Sequence, residues 1–175
     1  GAVAVRREPV RSLETGIWHS KNDIQRKRLA HDASIGIFSN MTWDPSQYLK
    51  FADHRLRPAV DLLNRVDLDS PSIVYDLGAG AGNVTELLAN RWPEARIIGI
   101  DDSEEMLRKA SERATNIEWE VGDIGSWEPK QPAELIFTNA ALHWIEGHTD
   151  LFTRLMSSVA PGGVLAVQMP RNFGA

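Results

Sequence analysis

The sequence predicts an α/β fold built on a doubly wound, mainly parallel sheet. Three observations carry that expectation. Short apolar and β-branched runs alternate with amphipathic helical stretches from Ser72 to Met169. Such alternation builds a parallel sheet through right-handed crossovers. A glycine-rich loop, Gly78 to Gly82, directly follows the first of these runs. Carboxylates then stand at the ends of the next two runs, at Asp101 and Asp123, where open α/β sheets bind their ligands.

Each element can be justified in chain order. Gly1 to Asn40 has no sustained apolar period. It holds seven Lys/Arg and four Asp/Glu, against twelve and twenty in the remainder. It reads as a disordered leader, or as translated sequence ahead of a start at Met41, so residues 41–175 are expected to form the domain. Ser46 to Val66 reads as a helix with one apolar face, kinked or split at Pro58. Strands are expected at Ser72–Leu77, Ala95–Ile100, Ile117–Val121, Ala133–Thr138 and Val164–Met169. The helix over Asn83–Trp92 should stop at Pro93, and that over Thr149–Ala160 at Pro161-Gly162-Gly163. Between them, Ser103 caps a helix to Arg113, with Glu104 and Glu105 suiting its positive end. The chain stops at Ala175, just past the fifth strand, and a sheet of this type is expected to need further strands.

Composition narrows the function. With 175 residues, 42% hydrophobic and 25% charged, the chain suits one globular domain. It has no cysteine, which excludes disulfides and thiolate metal sites and fits a reducing compartment. No metal site is expected. No apolar run reaches the length of a membrane span. The net charge is −5, and the acidic body argues against a nucleic-acid partner, whose binding rests on cationic contacts.

The strongest local signal is Asp76-Leu77-Gly78-Ala79-Gly80-Ala81-Gly82-Asn83. Gly78, Gly80 and Gly82 permit a tight turn and a close ligand approach, and the helix that follows offers free N–H groups. The dinucleotide fingerprint needs its third glycine at a different spacing. Asp76 would also repel a pyrophosphate. S-adenosylmethionine has no phosphate, and its ammonium can sit near Asp76 directly or through water. The alternative is a glycine turn that only lets helix and strand pack.

Three further motifs follow. Asp101 closes Ile97-Ile98-Gly99-Ile100 and is placed to accept hydrogen bonds from ribose hydroxyls. Asp102 can serve instead, or cap the next helix. In Val121-Gly122-Asp123-Ile124, Asp123 can accept from an adenine amino group while Ile124 meets the ring, although Gly-Asp is also ordinary turn chemistry. In Asn139-Ala140-Ala141-Leu142-His143-Trp144, the small residues beside Asn139 leave room for a ligand. His143 and Trp144 either line its mouth or serve surface and core.

Together these motifs resemble class I S-adenosylmethionine-dependent methyltransferases over Ser72 to Met169, with Pro161-Gly162-Gly163-Val164-Leu165 in the family's order. The resemblance implies a Rossmann-like sheet and assigns Asp76, Gly78, Gly80, Gly82, Asp101, Asp123, Ile124 and Asn139 to the cofactor. A narrower resemblance runs from Met41 to Phe173. Trp43-Asp44-Pro45, Tyr48-Leu49, Phe51-Ala52, Arg55, Arg57-Pro58-Ala59-Val60, Asn139-Ala140 and Val164 to Pro170 are similar to the trans-aconitate 2-methyltransferase family. That family is bacterial and cytoplasmic, and it makes a monomethyl ester of a small tricarboxylic acid. Its chains run on past Ala175 through the last strands, and Gly1 to Asn40 has no counterpart in them.

The chemistry so implied needs no general base, because a carboxylate is already ionised near pH 7. Positioning and water exclusion suffice. The substrate's other carboxylates need cations or donors. Arg55 and Arg57, with Tyr48 as a donor, are the candidates, beside His143 and, more distantly, Arg171. Two residues apart on a helix, Arg55 and Arg57 do not share a face. Competing readings are a nicotinamide-dependent oxidoreductase, a methyltransferase of another small molecule, and a non-catalytic cofactor-binding fragment. The sequence is silent on oligomeric state.

Overall fold

The computed structural model describes residues 1–8, 56–114 and 116–170, all within one compact unit. In chain order the elements are β1 (Ala2–Arg6), α1 (Arg57–Leu63), β2 (Ile73–Leu77), α2 (Asn83–Arg91), β3 (Arg96–Asp101), α3 (Glu104–Arg113), β4 (Glu118–Val121), β5 (Ala133–Asn139), α4 (His148–Ser158) and β6 (Val159–Gln168). They form a six-stranded sheet in the order β1-β6-β5-β2-β3-β4. Every pairing is parallel except β1 with β6. The chain winds outward from β2 through β3 and β4, then restarts at β5 and continues to β6. The order therefore reverses between β2 and β5, the crevice where doubly wound sheets hold ligands.

Strand side chains alternate across the sheet. On one face Tyr75, Leu77, Ile98, Ile100, Ile136, Leu165 and Val167 pack with Leu151 and Leu155 of α4 and with Trp127. Fully buried Val74, Leu135 and Phe137 take the other side, where α2 and α3 pack on β2, β3 and β4. The helix α1 lies against β6 and β1. Among the described residues, no helix is long and apolar enough to cross a membrane.

One expectation is corrected. The opening residues are not all leader, because Ala2–Arg6 pairs antiparallel with β6, with Val3 opposite Val167 and Val5 opposite Leu165. The physical reason is the open edge of β6, whose N–H and C=O groups need partners. Arg6 donates to Gly162 O at 3.0 Å and to Asp67 O, and Arg7 to Ser157 O at 2.9 Å and Val159 O. The remainder of Gly1 to Asn40 lies outside the described residues. The stretch before Leu56, on which the expected kink or split at Pro58 also depends, lies outside the described residues; α1 begins at Arg57, next to Pro58. Pro58 occupies the first turn, where a missing N–H leaves no helical bond unmade.

The glycines of Pro161-Gly162-Gly163 also lie inside β6 rather than between helix and strand. Gly162 takes φ +82° and its N–H reaches Arg7 O at 2.8 Å, so β1 helps to carry the strand through the turn-forming residues.

Candidate functional site

The glycine loop is held from beneath. The N–H groups of Gly78 and Ala79 both donate to Ile100 O, at 2.8 and 2.9 Å, which ties the end of β2 to the end of β3. Gly78 has φ +78°, and a Cβ there would come within 2.3 Å of the Ala141 Cβ. The loops after β2 and β5 thus touch across the crevice, which only glycine allows. Among the described residues nothing occupies the space where a Gly80 Cβ would stand, and it is there that a ligand can approach the backbone.

Asp101 binds the loop to the next strand. Its Oδ2 accepts from Gly80 N at 2.8 Å and its Oδ1 from Ser103 N at 3.0 Å. Each oxygen keeps a further lone pair, enough to receive a vicinal diol. Ser103 caps α3 as expected, accepting from Met106 N at 3.3 Å.

A cavity of about 530 Å³ opens at this end of the sheet. Its walls are Gly78 and Gly80 after β2, and Asp101 with Asp102 after β3. Asp123 and Ile124 follow β4, and Ala140 and Ala141 follow β5. Met106 and Trp144 also line it. Trp144 is 82% exposed, so it belongs to the mouth rather than the core. Among the described residues no lysine or arginine lines the cavity, whereas three carboxylates do.

Asp76, Gly82, Asn139 and His143 stand behind these walls. Asp76 is 1% exposed and accepts from Thr85 Oγ1 at 2.7 Å. Burial pushes its carboxyl up to about 7 against the Thr85 hydrogen bond, with the Asp101 charge adding to the rise. Gly82, at φ +82°, starts α2 with its open side against Trp119, whose Cη2 lies 2.7 Å from an added Cβ. The same indole faces Gly99 at 2.5 Å, so one ring from β4 wedges beneath both the glycine loop and β3. Asn139 Oδ1 and His143 Nδ1 are buried without a hydrogen-bond partner among the described residues, and the His143 ring lies 4.5 Å from that of Trp144.

The carboxylate of Asp123 does double duty. Oδ1 accepts from Gly125 N at 2.9 Å and Oδ2 from Ser126 Oγ at 3.0 Å. Those two bonds, ahead of the Arg154 charge, hold its carboxyl below the usual range. Arg57 does not line the cavity; its side chain is 72% exposed, with Asp61 Oδ2 at 3.9 Å. Tyr48, Arg55 and Arg171 lie outside the described residues. Sequence reasoning missed Met106 and the Trp119 wedge. For Met106 the signal was present, a large apolar side chain on the first helical turn after Asp101.

Known proteins place this arrangement. The chain is 52% identical over 132 residues to a trans-aconitate 2-methyltransferase of Azoarcus sp. (strain BH72), covering 75% of this chain and 52% of that one. To the enzyme of that name from Streptomyces coelicolor it is 49% identical over 142 residues, covering 77% and 47%. The chain thus spans about half the length of these curated relatives. An S-adenosylmethionine-dependent methyltransferase from Mesorhizobium loti superposes with TM-score 0.54 at 27% identity, over 62% of this chain and 50% of that one. Streptomyces venezuelae DesVI gives 0.59 at 18% identity, over 76% and 61%, a likeness of fold alone. The fold is the Rossmann-like fold of class I methyltransferases. Residues 74–163 match the family described as Methyltransferase domain, and the chain belongs to that family.

Proposed function

We propose that the cavity binds S-adenosylmethionine and that the chain serves methyl transfer to a carboxylate of trans-aconitate, giving a monomethyl ester. The observation that carries the cofactor reading is the charge of the cavity. Asp101, Asp102 and Asp123 line it, and Asp101 already takes a glycine-loop N–H. A pyrophosphate would meet like charge there, which disfavours a nicotinamide dinucleotide. A ligand with an ammonium, a sulfonium and a ribose diol meets acceptors at every turn. Asp101 would hold the ribose, Asp123 and Ile124 the adenine, and the open face of Gly80 the amino-acid end. Met106 is placed to cover the adenine ring.

The bound cofactor supplies an activated methyl group. The chain's residues supply position. No side chain need remove a proton from a carboxylate nucleophile, whose pKa is near 4. Alignment and exclusion of water are the contributions that remain. The substrate's spectator carboxylates need cations, and Tyr48 and Arg55 are the residues proposed to supply contacts, with Arg57 able to join only by leaving Asp61. His143 would act at the mouth through Trp144 rather than by direct contact. The substrate assignment is supported by the names of the relatives at about 50% identity. The family resemblance supports a cytoplasmic setting.

The test is transfer of labelled methyl from S-adenosylmethionine to trans-aconitate, with the monomethyl ester read by mass. Transfer to trans-aconitate above citrate and cis-aconitate supports the reading. Transfer only to an unrelated acceptor would replace the substrate. Cofactor binding without transfer would leave a cofactor-binding fragment.

A further inference from the structure

We infer that Arg154, on α4 and outside the cavity, is a positioning residue that sets selectivity for the adenine base. This rests on the proposed adenine contact of Asp123. The loop from Gly122 to Trp127 has no strand to hold it. It closes one helical turn on itself, with Ser126 N and Trp127 N both donating to Asp123 O, at 3.1 and 2.8 Å. A turn of that kind leaves its later carbonyls pointing one way without internal partners. The guanidinium of Arg154 meets them. Its Nη2 donates to Ile124 O at 2.8 Å and Gly125 O at 2.7 Å, and its Nη1 donates to Trp127 O.

Three carbonyls of one turn are thus gathered by a single planar fork, a geometry that a lysine's point charge cannot reproduce. The loop is also plugged into the core, since buried Trp127 meets the Tyr75 ring edge-on at 4.9 Å. That plug fixes the far end of the turn. Arg154 fixes the part that carries Ile124 and, through the turn's hydrogen bonds, the direction of the Asp123 carboxylate. Both residues line the cavity.

A carboxylate held in that direction accepts from the amino group of adenine. It repels the carbonyl oxygen that hypoxanthine carries at the same place. The unmodified chain should therefore prefer S-adenosylhomocysteine to S-inosylhomocysteine by about tenfold or more, the value of one charge-assisted hydrogen bond. Freed from Arg154, the turn can rotate the carboxylate away, and the preference should vanish.

The experiment is calorimetric titration of the 175-residue chain with both nucleosides. The variants are Arg154→Lys, Arg154→Ala and, as a comparator, Asp123→Asn. The expected result is a preference close to one in all three variants, with affinity for S-inosylhomocysteine unchanged within about twofold. Circular dichroism checks the fold, and Arg154→Lys keeps the charge and stem should Arg154→Ala unfold. A retained preference in Arg154→Lys would overturn the inference and leave the Asp123 reading intact. Equal weakening of both ligands would also overturn it, because a purely structural arginine does not read the base. No preference in the unmodified chain would remove the Asp123 reading and the inference with it.

Discussion

Asp76→Asn should abolish a large pH dependence of stability that the buried carboxyl imposes. In the fold Asp76 is 1% exposed, accepts from the neutral Thr85 Oγ1 at 2.7 Å, and has the Asp101 carboxylate nearby. Its carboxyl moves from an ordinary 3.8 to about 7. In the unfolded chain it ionises near 4. Below pH 4 the group is protonated in both states and the fold has its full stability from this site. As pH rises from about 4 to about 7, only the unfolded state releases the proton, so stability falls. Above pH 7 both states are ionised and the loss is complete. The linkage is worth roughly 4 kcal/mol at about 1.4 kcal/mol per pH unit. The assay is urea unfolding of the parent chain and of Asp76→Asn at intervals from pH 4 to pH 8, taking the difference at each pH so that other titrating groups cancel. The parent should lose about 4 kcal/mol relative to the variant over that range. A difference that stays flat within about 1 kcal/mol would refute the reasoning, as would a parent that gains on the variant. Either would mean that the glycine loop stabilises the ionised carboxylate, and that desolvation is not the dominant influence.

Other expectations follow from the same contacts. Gly99→Ala puts a Cβ 2.5 Å from Trp119 Cζ3, and overpacking of this kind costs about 1–3 kcal/mol. In a Trp119→Leu background the same change should cost much less, a coupling that a double-mutant cycle in urea would measure. Removal of residues 1–8 strips the ladder from β6 together with the Arg6 and Arg7 bonds. At about 1 kcal/mol net per hydrogen bond, the urea midpoint should fall clearly, with faster hydrogen exchange along Val164–Gln168.

The parts of the fold that the sequence revealed are those written locally. The run Ile97-Ile98-Gly99-Ile100 announces a buried strand and puts Asp101 at its end, and the acid stands in the cavity wall. Gly78, Gly80 and Asp123 were legible in the same way, from a turn-forming residue directly after a strand. Partners far apart in the chain left no such trace. Ala2–Arg6 is a strand because β6, some 160 residues away, offers it an edge. Four small apolar residues carry too little pattern to say so. Pro161-Gly162-Gly163 reads as a helix stop, which is correct, but Arg7 bonding to Gly162 and Gly163, with Val159 paired to Ala133 just before, draws the stretch into a strand. Arg154 and Trp119 gave no signal either. One is a helix arginine whose partners are backbone carbonyls, which have no sequence identity. The other is a wedge whose shape is recorded only as two glycines on different elements. Asp76 was singled out for the ligand, yet its side chain is walled in by Thr85, a residue nine positions on that no motif marked.

The central claim is that this cavity binds S-adenosylmethionine, and calorimetric titration of the chain with S-adenosylhomocysteine, with NAD as control, tests it most directly. Saturable one-site binding is predicted. Asp101→Ala should weaken it about 100-fold or more, because the ribose acceptor and the Gly80 N–H tie are lost together. NAD should not bind. A folded chain that ignores S-adenosylhomocysteine, or one that binds NAD in its place, would contradict the account.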